Sequence, residues 1–114
     1  MADATETFFR ELGERGHEPL LEKAKGTIRF ELRRGKRTDR WFVAIDKGDV
    51  RVSRKNAAAD GTLRTTGELF DGLARGEVNA MAAVLRGAVE LEGDPVLFVL
   101  LQRLLPGPPA PGGR

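Results

Sequence analysis

The chain has no cysteine, no tyrosine, and only one histidine, one serine and one tryptophan among its 114 residues. Without cysteine there is no disulfide framework, thiolate metal site, iron–sulfur cluster or cysteine nucleophile. His17, between Gly16 and Glu18 and just ahead of Pro19, has no second histidine to complete a metal site and reads as a solvated turn residue. Ser53 is the single candidate for a Ser-His-acid triad, yet it stands in an alternating strand pattern with no Gly-x-Ser-x-Gly elbow. The run Arg33-Arg34-Gly35-Lys36 lacks the glycine spacing of a phosphate loop. These absences predict a protein that is not an enzyme and uses neither metal nor cofactor.

Long apolar runs are missing too. Val96 to Leu101, extended with interruptions to Leu105, falls well short of the ~20 residues that cross a bilayer. The segment Met1-Ala2-Asp3-Ala4-Thr5-Glu6 carries acids and no apolar h-region, so the expected location is cytoplasmic. With 19 basic and 17 acidic residues the formal charge is +2, too small by itself to argue for nucleic acid.

What is present suits one small globular domain: 40% hydrophobic and 32% charged residues, with 14 glycines marking turns. The expected domain spans 1–105, followed by a tail, 106–114, too rich in Pro and Gly to pack and expected to be disordered.

Phe8, Phe9 and Leu12 have helical spacing over Thr7 to Leu12, and Asp3 with Glu6 offers a capping box. Pro19 opens a short turn carrying Leu20, Leu21 and Ala24. A period of two follows: Ile28, Phe30 and Leu32, then Trp41, Val43 and Ile45, then Val50 and Val52, with a fourth strand at Thr62 to Thr65, expected in meander order. Along the second strand Phe42 and Ala44 break the polar outer face, so Phe42 needs cover. Thr65 with Glu68 predicts the cap of a helix bearing Leu69, Phe70, Leu73 and Ala74; Met81, Val84 and Leu85 predict another; Val89 and Leu91 give a fifth strand. Asp94 as cap and Pro95 as first residue open a helix expected over Val96 to Leu105. The expected fold is α+β, a five-stranded, mostly antiparallel sheet with short helices on one face.

In the last helix only Gln102 and Arg103 are polar. A surface helix needs an apolar stripe only about 100° wide, so the excess must be buried on two sides, lie in an interface, or face an apolar guest.

The segment Ala59-Asp60-Gly61-Thr62-Leu63-Arg64-Thr65-Thr66-Gly67-Glu68-Leu69-Phe70, then Leu73 through Gly87 and Ala88-Val89-Glu90-Leu91-Glu92-Gly93-Asp94, resembles the second half of a sterol-carrier-protein domain. Upstream, Gly26 to Leu32 and Trp41 to Gly48 resemble its first hairpin, and the likeness runs from about Leu20 to Leu105. Val78-Asn79-Ala80 departs from the Leu-Asp-Pro-like step common there, and the tail lacks a Ser-Lys-Leu peroxisomal signal, as a free-standing bacterial-type member would. The resemblance implies a non-catalytic carrier with a hydrophobic tunnel for a fatty acid, a fatty acyl thioester or another isoprenoid or sterol-like lipid.

On this reading the cavity is lined by Phe30, Trp41, Val43, Phe70, Leu73, Met81, Leu85, Phe98 and Leu101, and Arg33, Arg34, Lys36 and Arg37 dock transiently on anionic membrane. The expected state is a monomer or weak dimer. Two other readings stand beside it: an accessory module presenting lipid to a partner enzyme, and a nucleic-acid surface formed by the same basic residues with Arg40, Arg51, Arg54 and Lys55. No nucleic-acid partner is expected, because the alternation turns Trp41 to the core and leaves few aromatics for base stacking.

Overall fold

The computed structural model describes residues 3–106; the tail residues 107–114, expected to be disordered, lie outside the described residues. Helix α1 (Ala4–Arg15) begins at Asp3, whose carboxylate accepts the Glu6 N–H at 2.7 Å, and ends at left-handed Gly16. It is longer than its apolar spacing predicts, since the cap lies a turn ahead of Phe8 and the helix runs on through Gly13, which packs closely on Val52. A 3-10 turn, Pro19–Leu21, follows under a Glu18 cap.

Strands β1 (Lys25–Arg34) and β2 (Arg37–Asp46) form a hairpin pairing Ile28 with Val43 and Phe30 with Trp41, and β3 (Asp49–Ser53) adds antiparallel to β2. The predicted meander stops there. Strand β4 (Gly61–Thr66) lies parallel to β1 on its other side, with Ile28 opposite Gly61 and Phe30 opposite Leu63, and β5 (Glu90–Gly93) completes the order β3-β2-β1-β4-β5.

The reason lies in residues 54–60, which recross the outer face of the sheet. Arg29 donates to the Ala57 carbonyl at 3.3 Å, the Thr27 N–H donates to the Asp60 carboxylate at 2.9 Å, and the Asp60 N–H donates to the Thr27 hydroxyl at 3.0 Å. Lys55 lies 5.4 Å from the centre of the Phe42 ring, and Phe42 is buried. The crossing therefore supplies the cover that the alternation demands for Phe42. Beyond it the outer face is an ion-pair lattice in which Glu31 faces Arg64 at 2.8 Å and Arg29 at 3.3 Å, while Arg64 reaches Glu92 at 2.9 Å.

Helix α2 (Gly67–Arg75) is capped by Thr66, whose hydroxyl accepts the Leu69 N–H at 3.1 Å. Thr65, the predicted cap, is instead the last inward residue of β4, its hydroxyl donating to the Ala88 carbonyl at 2.8 Å. Helix α3 (Ala80–Leu85) starts on an Asn79 cap. Helix α4 (Pro95–Gln102) starts on Asp94 as its sequence predicts but ends three residues short of Leu105.

The core lies between the sheet's inner face and the helices. Two rows run across that face: Val52, Val43, Ile28, Gly61, Gly93, and Trp41, Phe30, Leu63, Leu91. Both rows end in smaller residues on β4 and β5, Gly61 and Gly93 in one and Leu63 and Leu91 in the other. Two inward glycines let α4 approach closely: a Cβ at Gly26 would stand 3.0 Å from Leu97, and one at Gly61 would stand 3.0 Å from Phe98.

Candidate functional site

Over β1 and β2 the interior is solid. Phe9 of α1 stacks on Trp41 at 4.6 Å and on Phe70 of α2 at 5.5 Å, and meets Phe30 edge-on at 4.9 Å. The Arg54 guanidinium closes the column from outside, 4.1 Å from the centre of the Trp41 ring. Such offset and edge-to-face pairs each add about 0.5–1.5 kcal/mol beyond the area they bury.

Over β4 and β5 the interior is open. Leu63, Leu91 and Gly93 form the floor, Leu73, Ala80, Met81 and Val84 one side, and Phe98, Val99, Leu101, Gln102 and Leu105 the other, around a cavity of about 290 Å³. Val89 and Pro95 complete the lining. That volume is just below the roughly 300–1,000 Å³ usual for ligand pockets. A larger concavity of about 740 Å³ beside Trp41 includes Glu6, Arg10, Glu14 and Arg51 in its wall, which suits water better than an apolar guest.

The cavity has an apolar rim. Of the six large hydrophobic residues exposed among those described, Leu20 lies elsewhere and the other five, Met81, Leu85, Leu91, Val96 and Val99, all belong to α3, β5 and α4. Leu85 is 80% exposed and Val96 60%. Scattered single hydrophobics are normal on a surface, whereas a cluster beside an apolar cavity marks a site of interaction.

Of the nine residues expected to line a cavity, the structure gathers Leu73, Met81, Phe98 and Leu101 around this one. Phe30, Val43 and Phe70 face the same interior but are enclosed in its packed half, where other side chains fill the space a guest would need. Trp41 sits at the far edge of that half under Arg54, and Leu85 points into solvent on the rim. Sequence reasoning overlooked the rest of the lining, Ala80, Val99 and Gln102 among it. The near-continuous apolarity of α4 was the available signal for Val99, but the small size of Ala80 carries a meaning only once its neighbours are known.

The basic hairpin end is less uniform than its sequence suggests. Arg34, expected on the docking edge, turns inward and grips Asp71 with two hydrogen bonds, at 2.9 and 3.1 Å, with Asp3 and Asp39 also within 3.3 Å. It crosses Gly67 so closely that a Cβ there would meet the guanidinium at 2.5 Å. Asp71 in turn accepts both the N–H and the hydroxyl of Thr5. Burial pushes the Asp71 carboxyl up, but Arg34 and Thr5 outweigh it and hold the group below the ordinary carboxylate value. Arg33, Lys36 and Arg37 remain on the surface, Arg37 paired with Asp39 at 2.9 Å.

No helix among the described residues is long and apolar enough to cross a membrane. The model of the SCP-2 sterol transfer family matches residues 7–106. The chain belongs to that family. Sterol carrier protein domain 2 of Helicoverpa armigera has the same fold, with a TM-score of 0.72 at 23% identity over 90% of this chain and 85% of that one. Sterol carrier protein 2 of Aedes aegypti, solved as a complex with palmitate, gives 0.70 at 19% identity over 90% of this chain and 94% of that one. The sec-alkylsulfatase Pisa1 from Pseudomonas sp. gives 0.69 at 21% identity, matching 86% of this chain to 16% of its own. A comparison with curated protein sequences finds no significant match to the chain.

Proposed function

We propose that the protein binds one long-chain lipid in the α3–α4 cavity and carries it between membranes without covalent chemistry. The observation that carries this reading is an apolar cavity opening onto a rim of exposed apolar side chains, Met81, Leu91 and Val99 belonging to both. A guest chain would find apolar contact along its whole path from surface to floor. Family membership and the palmitate complex of the Aedes protein support it. Each buried methylene contributes about 0.8 kcal/mol, so ten of them supply roughly 8 kcal/mol before association costs. Delipidated protein titrated with a fluorescent fatty acid is expected to bind one molecule per chain; absence of binding across acids, alcohols, monoacylglycerols, acyl thioesters and lysolipids overturns the reading.

Transfer also needs a brief membrane contact, and the hairpin end presents Arg33, Lys36 and Arg37 for it. Each basic residue near an anionic surface contributes about 1 kcal/mol, enough for reversible docking. Replacing these three by Ser is expected to slow transfer between anionic vesicles at low ionic strength and leave ligand affinity unchanged; an unchanged rate assigns the charges to solubility alone.

One observation favours a second reading: the match to Pisa1 covers only a small part of that enzyme. A domain of this fold acting beside an enzyme would present lipid to a partner seated on the same apolar rim. Vesicle-to-vesicle transfer by the isolated chain separates the two, since a pure presenter is expected to bind lipid without delivering it.

A further inference from the structure

The cavity wall contains one polar side chain. Among the described lining residues there is no Lys, Arg, Asp or Glu, and Gln102, in the last turn of α4, alone has a side chain with hydrogen-bonding atoms. It is half-buried, and its side-chain amide has no hydrogen-bond partner among the described residues. A side-chain amide is neutral and can donate and accept at once, which matches a hydroxyl, ester or amide. A carboxylate placed beside it would lose hydration with no countercharge in the wall, and a buried anion without a partner is strongly disfavoured.

Resting on the carrier reading above, we propose that Gln102 is the head-group anchor of the cavity. The guest it selects is a single-chain lipid with an uncharged hydrogen-bonding end, such as a long-chain alcohol or monoacylglycerol, in preference to a fatty acid anion. The chain occupies the aliphatic space between Leu63 and Phe98, and the head meets the amide on α4.

The test is competition by 1-hexadecanol and by palmitate, each delivered from cyclodextrin at pH 8, against a pyrene-labelled alkyl chain. Wild-type protein is expected to prefer the alcohol by at least about tenfold, a charged head losing far more on burial than a neutral one. Gln102→Met keeps the shape and removes the hydrogen bond, and is expected to weaken hexadecanol about 2- to 10-fold, narrowing its advantage over palmitate. Circular dichroism of the variant checks that it is folded, and Gln102→Leu provides a second apolar replacement. Palmitate binding as tightly as hexadecanol, or hexadecanol affinity unchanged in both variants, overturns the Gln102 assignment with the carrier reading intact. Failure of the pyrene chain and both competitors to bind wild-type protein overturns the carrier reading itself.

Discussion

One sheet face supports two differently filled halves. Over β1 and β2, the inward residues Phe30 and Trp41 are met by Phe9 and Phe70, and the ring edges and faces leave no room for a guest. Over β4 and β5, the same row continues as Leu63 and Leu91, the neighbouring row ends in Gly61 and Gly93, and the covering helices bring Ala80, Val84 and Val99. Helix α3 has six residues, too few to cover the gap, and α4 is seated by Leu97 and Phe98 over two glycines. The void thus follows from residue size along the strands. Taking about 24 cal/mol per Å³, an equivalent dry cavity of 290 Å³ would cost about 7 kcal/mol, comparable with the whole stability of many domains. An open rim reduces that cost, and a lipid guest would reduce it further.

The strongest test of this contrast is a pair of truncations. Phe9→Ala is expected to destabilise by about 3–5 kcal/mol in urea unfolding, because the ring is fully buried and packs against Phe30, Trp41 and Phe70. Phe98→Ala is expected to cost about 2 kcal/mol, since part of its ring already faces the void and loses fewer contacts. Equal costs would mean that the two halves are packed alike.

A second test concerns what holds the solid half together. Asp71 joins α1 through Thr5 and β1 through Arg34, and both charged side chains are mostly shielded from solvent. Asp71→Asn is expected to cost about 2–3 kcal/mol, the usual penalty for leaving a shielded cation without its partner, discounted for partial exposure. Because the folded carboxyl is held below its ordinary value of 3.8, its contribution is complete above that pH and lost as pH falls through the lower folded value. The Asn variant is therefore expected to unfold with a shallower acid limb; an unchanged limb would make the Asp71 cluster a bystander.

How far these halves were legible in the sequence depends on what each feature requires. Ile28, Phe30, Trp41 and Val43 declare their inward face by alternation alone. That Phe30 meets aromatic rings while Leu63, its neighbour across the sheet, meets a void depends on which helix arrives overhead, and no local pattern encodes that. The parallel position of β4 is equally non-local. It rests on Arg29, Thr27 and Asp60 finding partners across the outer face, whereas the sequence between β3 and β4 shows only a seven-residue connection. Arg34 reads as one of a basic run, and only the fold brings Asp3, Asp39 and Asp71 to it. The cap of α2 turned on a choice between adjacent threonines that only the end of β4 decides.

Filling the open half tests it more gently. Ala80 lines the cavity at the start of α3, and Ala80→Phe places a ring in the space without removing any existing contact. Binding of a fluorescent fatty acid is expected to fall at least about tenfold, a change of 1.4 kcal/mol, while the melting temperature moves by no more than about 4–8 °C. Retained affinity would place the guest elsewhere on the molecule.

The smallest effect is expected at His17, on the rim of the solid half. Its Nδ1 lies 2.9 Å from the Asp49 carboxylate and its Nε2 lies 3.6 Å from Glu22, and the ring packs over Gly48, where a Cβ would meet it at 2.7 Å. The hydrogen bond to Asp49 does most to raise the imidazole above its ordinary 6.5, partial desolvation opposes it, and Glu22 adds to the rise. A raised folded value means that the contribution is fully present below pH 6.5 and disappears as pH rises through the folded value. His17→Gln is therefore expected to lower the urea midpoint slightly at pH 5.5 and leave it unchanged at pH 9. Since His17 ties the α1 exit to the β2–β3 turn, far along the sheet order from β4 and β5, lipid-probe affinity is expected to be the same in variant and wild type at both pH values. A matching pH-dependent change in probe affinity would show the two halves to be mechanically coupled, and the division between solid and open interior would then describe packing but not function.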